Sequence, residues 1–140
     1  MIADHERNAL IEYRLKQAVE TIALAEFLLN AGKLTLAVNR IYYGMYYALT
    51  ALALKNKFET SKHTQLIGWF NRDYISRGIT DSKYGKILRN AYHSRTRGDY
   101  DAFVSFSNPE VELMLNDLED FITEITRLIK DNPDTPREKS

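Results

Sequence analysis

The chain has 140 residues, with 19 Lys and Arg against 19 Asp and Glu, so its formal net charge is zero. A chain of this length suits one domain, and a neutral one has no general attraction for nucleic acid or membranes, so any anion site must be local. Cysteine is absent, which excludes disulfides, thiolate zinc sites and a cysteine nucleophile.

Two long helices are predicted in the first half of the chain. The first, about 4–31, has Asp4 as its cap and Gly32 as its stop. The second, about 34–56, is apolar or aromatic on almost every side, which indicates a helix buried at the centre of the fold. The apolar positions of the first helix alternate steps of four and three, at Ile11, Leu15, Ala18, Ile22, Ala25 and Leu29.

Two shorter helices follow, each bounded by a polar cap and a glycine. The stretch ETSKHTQLIGWFNRDYISRG has apolar residues at helical spacing and ends at Gly78. The stretch TDSKYGKILRNAYHSRTRG repeats the scheme, with Gly98 as its stop. The predicted caps are Thr60 or Ser61 for the third helix and Asp81 or Ser82 for the fourth.

The fifth helix opens with Asn108 as its cap, Pro109 at the first helical position and Glu110 at the positive end of the helix dipole. The polar tail, residues 131–140, is predicted to be disordered. No stretch alternates with period two over the length of a strand. We therefore predict an all-α, single-domain, up-and-down bundle of four to five helices over residues 1–130. The apolar stripe of the fifth helix comprises Val111, Leu115, Leu118, Ile122, Ile125 and Ile129.

Signals for a metal site, a membrane span and secretion are missing from the sequence. The histidines His5, His63 and His93 lie on three different segments, and none is followed by a histidine or an acid three or four residues later. We therefore predict no metal and no cofactor. The start MIADHERNAL is charged where a signal peptide is apolar, and no apolar stretch reaches the roughly 18–20 residues that cross a bilayer. These features predict a cytoplasmic protein without a membrane partner.

Four tyrosines lie in the segment YYGMYY of the second helix. A tyrosine buries a large ring and keeps a hydroxyl that needs a partner, so we interpret them first as core or dimer contacts. A stacking platform for bases, with Tyr43 as a nucleotide-binding candidate, is the alternative. Arg40 precedes the tyrosines on this apolar helix, so it either pairs with a carboxylate such as Asp99 or is directed at an anion.

The stretch YHSRTRGDYDAF, residues 92–103, is unusually dense in polar chemistry. Arg95 and Arg97 in the last turn of a helix are explained by the negative end of the helix dipole alone. That explanation does not account for Asp99 and Tyr100, which follow at once. A phosphate site does account for them, since guanidinium binds phosphate bidentately, the aspartate holds the guanidinium, and the phenol stacks or donates a hydrogen bond.

The motifs NRIYYGMYYAL, TSKH and ILRNAYHSRTRGDYDAF, in this order, resemble the HEPN family of small α-helical bundles. The likeness is to the prokaryotic branch with R-x-x-(A/G)-D-Y after the fourth helix, and it covers roughly residues 8–130. This resemblance implies a homodimer encoded beside a minimal nucleotidyltransferase, which acts as the antitoxin of a toxin–antitoxin pair. Many members are metal-independent ribonucleases.

The resemblance also implies an active site of the form Arg-x4–6-His, duplicated across the dimer, in which arginine binds the scissile phosphate and histidine transfers a proton. Here the residue at the four-residue spacing from Arg95 is Tyr100, whereas Arg89 and His93 are separated by only three residues. A phenol is a poor general base at neutral pH. His93, close to the same helix end, and His63 are the candidates for the missing imidazole.

Three functional hypotheses remain open on the sequence. In the first, a ribonuclease, Arg95 binds phosphate, His93 or Tyr100 handles the proton, and Asp99 and Arg40 orient them. In the second, the same cluster is the anion pocket of a non-catalytic module that binds a nucleotide or a nucleotidyltransferase. In the third, the protein is a structural dimer and the cluster is a buried ion-pair network. The candidate anion-binding residues are Arg95, Arg97, Asp99, Arg40 and Tyr43.

Overall fold

The computed structural model describes residues 2–131 and confirms the all-α prediction, since these residues contain five α-helices and no strand. Of the predicted tail, Asp131 ends the last helix, and residues 132–140 lie outside the described residues. None of the helices in the described part is long and apolar enough to span a bilayer. The elements in chain order are α1 (Asp4–Asn30), α2 (Leu34–Lys55), α3 (His63–Phe70), a π-helical turn (Asn71–Ile75), α4 (Lys83–Tyr100) and α5 (Asn108–Asp131).

Helix α2 is the centre of the bundle and contacts α1, α3, α4 and α5. Ile41, Met45 and Leu49 are enclosed on this helix, as the near-continuous apolar pattern predicts. Each such side chain contributes about 1.5–3 kcal/mol of hydrophobic free energy. The stripes predicted for the first and fifth helices face the same core, in which Ala18 and Leu118 are fully buried.

Gly44 lets two helices approach α2 closely. A Cβ atom at this position would lie 2.1 Å from Oγ1 of Thr21 on α1 and 2.8 Å from Cδ1 of Leu118 on α5. Because Gly44 has no side chain, α1 and α5 can pack closely against α2 at the centre of the bundle.

The short turn between α1 and α2 contains Gly32 at φ +76°, as predicted for a glycine stop.

Helix α3 differs from the prediction at its start. It begins at His63, so Thr60 and Ser61 are not its caps; Thr60 instead accepts a 3.2 Å hydrogen bond from the amide of Lys62 before the helix starts. Local side-chain bonds of this kind compete with helix formation and delay its first turn. The π-helical turn follows, and the segment ends at Gly78 with φ +71°, as predicted.

The caps of α1 and α5 are displaced by one residue from the prediction, because Asp4 and Asn108 are already helical. At α5 the cap is Ser107, whose Oγ accepts a 3.2 Å hydrogen bond from the amide of Glu110, while the Glu110 carboxylate accepts one of 3.3 Å from the amide of Ser107. This reciprocal capping box fixes where the chain enters α5. Ser82, one of the two predicted caps, is the N-cap of α4.

Candidate anion-binding site

Arg95 on α4 and Asp99 one turn later form an ion pair, with Nε 2.9 Å from Oδ2. The side chain of Arg95 is 18% exposed and that of Asp99 is 27% exposed. The buried Nε–H of Arg95 does not point toward the carboxylate at a hydrogen-bonding angle, so the attraction between the two side chains is that of their opposite charges. Position i+4 places the carboxylate on the same face of α4 as the guanidinium, so the aspartate orients the arginine.

The guanidinium of Arg95 also lies against α2. Its Nη2 donates a 2.9 Å hydrogen bond to the hydroxyl of Tyr43. Its Cζ is 5.2 Å from the ring centre of Tyr43 and 5.7 Å from that of Tyr42, within the range of cation–π attraction. The position of this cation is therefore set by contacts to two helices.

The atom Nη1 of Arg95 has no hydrogen-bond acceptor among residues 2–131. It is not enclosed either, since the buried and unpaired side-chain nitrogens in this part of the chain are Nε of Arg14 and Nε of Arg95. A guanidinium nitrogen that is not fully buried and has no acceptor within residues 2–131 can donate to a further acceptor such as a phosphate oxygen.

His63, the first residue of α3, completes an aromatic cluster with the tyrosines of α2. Its Nδ1 is 2.7 Å from the hydroxyl of Tyr42, and its ring stacks on Tyr46 at 4.2 Å between centres. Burial, and secondly the positive charge of Arg95, lowers the pKa of His63. Burial raises the pKa of Tyr42, against an opposing effect of Arg95. At neutral pH the cluster therefore combines a neutral phenol, a neutral imidazole and a guanidinium.

Arg40 on α2 also contacts this cluster, through Tyr43. Both Nε and Nη2 donate to Oδ1 of Asn39, at 3.0 and 2.8 Å, and its Cζ is 5.0 Å from the ring centre of Tyr43. The suggested pairing of Arg40 with Asp99 is wrong, because Asp99 is the partner of Arg95. Tyr43 thus contacts two guanidinium groups, and within residues 2–131 the partner of Arg40 is the neutral amide of Asn39 rather than a carboxylate.

The prediction that Gly98 ends the fourth helix is also wrong, because α4 continues to Tyr100. The glycine serves close packing instead: a Cβ atom there would lie 3.2 Å from Cγ2 of Thr35 and 3.4 Å from Cε2 of Phe106. The two residues that α4 adds after Gly98 matter for the site. Because the helix continues through Asp99, this carboxylate lies on the same helix face as Arg95, one turn later.

The other predicted site residues lie around α4 rather than beside Arg95. His93 is exposed, with its ring 5.8 Å from that of Tyr92. Arg97 is exposed, with its Cζ 6.0 Å from the ring centre of Phe106, and Tyr100 is 78% exposed. His93 is two residues and Tyr100 five residues from Arg95, which places them roughly 160° and 140° away around the helix. Within one protomer, neither shares the face of Arg95.

Three members of the cluster were not predicted from the sequence as site residues in their own right: Tyr42, Tyr46 and Tyr92. Tyr92 precedes Arg95 by three residues, and its ring lies 5.7 Å from that of Tyr42. That helical spacing was the available signal. Within residues 2–131, no three His, Asp or Glu side chains are grouped so as to hold a metal ion.

Comparison with known proteins places these features in a family. The family model described as "HEPN domain" matches residues 11–128, most of the bundle including the α2–α3–α4 cluster. The chain belongs to the HEPN domain family. The family resemblance expected from the sequence is thus confirmed.

Several proteins are similar to this HEPN chain over most of its length. A "UPF0332 protein" of Thermotoga maritima is 34% identical over 127 residues, covering 91% of this chain and 96% of the relative. "Putative toxin MJ0142" of Methanocaldococcus jannaschii is 29% identical over 106 residues, covering 76% of this chain and 72% of the relative. "Putative toxin MJ0605" of the same organism is 26% identical over 132 residues, covering 89% and 98%.

Proposed function

We propose that this HEPN protein is a toxin-like, metal-independent ribonuclease that binds a phosphate of RNA at Arg95. The observation that carries the proposal is the Nη1 atom of Arg95, which is not fully buried and has no acceptor within residues 2–131, on a guanidinium that Asp99 and Tyr43 hold in place. A fixed guanidinium binds phosphate and stabilises the charge that develops on it during transesterification. The toxin names of the two M. jannaschii relatives support the biological role.

The proton-transfer residue in this proposal is His93 or Tyr100, as predicted from the sequence. Because both lie on other sides of α4 from Arg95, they serve a phosphate bound to Arg95 only if a second protomer brings its own α4 to the site. The proposed enzyme is therefore a cytoplasmic homodimer with composite sites. Sedimentation of the purified protein tests the dimer, and a monomer at all concentrations contradicts it.

Cleavage is tested with labelled tRNA and mRNA in the presence of EDTA. Arg95→Ala removes the phosphate-binding group, and Arg77→Ala, an exposed arginine outside α4, is the matched control. We expect cleavage by the wild type and by Arg77→Ala, and a loss of at least 100-fold with Arg95→Ala, as for other electrostatic groups of this kind. Equal, negligible cleavage by all three proteins removes the ribonuclease proposal.

A non-catalytic binding module is the second candidate, favoured by the phenol that stands where other family members have histidine. In this alternative the site binds a nucleotide or docks a minimal nucleotidyltransferase, and the 78% exposed Tyr100 is accessible for modification by that partner. Calorimetric titration with ATP and GTP, co-purification with the neighbouring gene product, and mass spectrometry after co-expression test it. No binding and no modification in all three assays excludes it.

A further inference from the structure

The contact between Tyr42 and His63 determines which nitrogen of the imidazole carries the proton. Tyr42 is fully buried, and His63 Nδ1, at 2.7 Å, is its hydrogen-bond partner among the described residues. If Nδ1 carried the proton, it would donate to the phenol oxygen, and the buried Tyr42 hydroxyl would be left without an acceptor. A buried donor without an acceptor is strongly disfavoured. The satisfied arrangement has Tyr42 donating to an unprotonated Nδ1, so the single proton of the neutral ring is on Nε2.

The Nε2 side of the same ring is available to a ligand. Nε2 has no hydrogen-bond partner within residues 2–131, and it is not one of the buried unpaired nitrogens of this part of the chain. The ring is held by stacking on Tyr46 and by its contacts with Tyr42 and Tyr43. An immobilised imidazole with an accessible Nε2–H is a neutral hydrogen-bond donor.

His63 and Arg95 approach the same two rings from different elements. The His63 ring centre is 5.6 Å from that of Tyr42 and 5.9 Å from that of Tyr43, and Cζ of Arg95 lies 5.7 and 5.2 Å from the same two centres. His63 at the N-terminus of α3 and Arg95 on α4 therefore lie against the same pair of tyrosine rings. Within residues 2–131, neither Nε2–H of His63 nor Nη1–H of Arg95 has an acceptor. The first is a neutral hydrogen-bond donor and the second is a charged one.

We propose that His63 is the second phosphate-binding group of the Arg95 site, donating from Nε2, and that Tyr42 is its positioning residue, which fixes this tautomer. This inference rests on the proposed phosphate binding at Arg95. His63 acts here as a donor to a phosphate oxygen and not as a proton acceptor. Protonation would add a hydrogen at Nδ1 and oblige the buried Tyr42 hydroxyl to give up its acceptor, next to a guanidinium. Burial and the charge of Arg95, which lower the pKa of His63, support the same assignment.

The tautomer is measured directly by long-range ¹⁵N–¹H NMR correlations of the His63 ring in the full chain at pH 7. We expect a protonated Nε2 and an unprotonated Nδ1 in the wild type. We expect a mixture of tautomers in Tyr42→Phe, which keeps the ring and removes the hydroxyl. A wild-type ring that is cationic, or that carries its proton on Nδ1, overturns the assignment. Tyr46→Phe, which keeps the stacked ring and leaves the Tyr42 hydroxyl in place, is the control, and we expect it to keep the wild-type His63 tautomer.

Binding is measured with uridylyl-uridine carrying a 2′-O-methyl group, which cannot be cleaved. We expect His63→Phe to weaken binding about five- to tenfold, the value of one hydrogen bond, and His63→Gln, which retains an amide donor, to recover most of the loss. Arg95→Ala separates the two proposals. If Arg95→Ala weakens binding and His63→Phe does not, the inference fails and phosphate binding at Arg95 stands. If neither variant changes binding, the proposed function fails as well. Thermal melts establish that each variant is folded.

Discussion

Arg95 of α4 and Tyr43 of α2 are joined by a 2.9 Å hydrogen bond, and Arg40 lies 5.0 Å from the ring centre of the same tyrosine. The ring of Tyr43 therefore contacts two cations, while Asp99 is the one carboxylate of residues 2–131 that pairs with either of them. This excess of positive charge around Tyr43 distinguishes the site from a compensated ion-pair network.

Arg95→Ala is expected to lower the free energy of unfolding by about 1–2 kcal/mol. The cost is modest because the side chain is 18% exposed and the freed Asp99, 27% exposed, can be hydrated. An enclosed ion pair would cost about 3–5 kcal/mol. Urea denaturation measures the difference, with Arg89→Ala as the exposed control. A loss in the higher range would favour the purely structural role considered for this cluster.

Gly44→Ala is expected to destabilise the bundle by about 1–3 kcal/mol. The new methyl group would lie 2.1 Å from Oγ1 of Thr21 and 2.8 Å from Cδ1 of Leu118, so α1 or α5 must move outward. Gly68→Ala on α3 is the matched control, because no heavy atom lies within 4 Å of a Cβ atom there. It should gain about 0.5–1 kcal/mol, since alanine is the better helix former. Equal melting temperatures for the two variants would contradict the close packing of Thr21 and Leu118 against Gly44.

Thr80→Val is expected to cost about 1–2 kcal/mol. The buried Thr80 donates a short hydrogen bond to Glu124, which joins the segment before α4 to α5, and valine keeps the shape without the donor. Thr123→Val, on the exposed side of α5, removes a hydroxyl that bonds only the backbone of its own helix at 2.9 Å. Chemical denaturation of both variants should show a loss at position 80 alone; similar stabilities would count against the tertiary bond.

Stability should fall as the pH is lowered through the range below about 6.5, the ordinary pKa of histidine. The pKa of His63 is lowered in the folded state, by burial and then by Arg95, so the unfolded chain binds the proton more readily. The favourable contribution is thus present above the unfolded pKa and is lost as the pH falls toward the folded pKa. The groups facing His63 are Tyr42, Tyr43 and Tyr46 of α2 and Arg95 of α4.

The pH prediction is checked by denaturation at several pH values between 5 and 7.5 in wild type and His63→Gln. The variant should have a flatter dependence, since glutamine keeps an acceptor for Tyr42 and does not titrate. The exposed His93→Gln variant serves as the comparison. Parallel pH profiles for wild type and His63→Gln would refute the assignment of this dependence to His63.

Helix positions followed from the sequence because they depend on local periodicity. The stripes from Ile11 on α1 and Val111 on α5 face the core as predicted, with their residues buried or half-buried, and the glycines at 32 and 78 lie in turns with positive φ. The rule that a glycine ends a helix gave the wrong result at Gly98. The fourth helix was predicted to end there, but Gly98 lies inside α4, at a position where Thr35 and Phe106 pack closely against it.

The candidate site was predictable in part, because Arg95, Asp99 and Tyr43 are conspicuous in the sequence and meet in the structure. The partner of Arg40 was not predictable, since the choice between Asn39 and Asp99 depends on how α4 is rotated against α2. The catalytic assignment to His93 and Tyr100 stays a prediction.

The sequence by itself determined the helices, the central position of α2 and the family, since these follow from side-chain periodicity and from motifs contiguous along the chain. Only the tertiary structure decided that His63 meets Tyr42 and that Arg95 meets Tyr43 with its Nη1 left without an acceptor in residues 2–131, because these contacts join residues far apart in the chain. Burial and neighbouring charge then set the protonation of each group, and both are properties of the packed bundle rather than of any single helix.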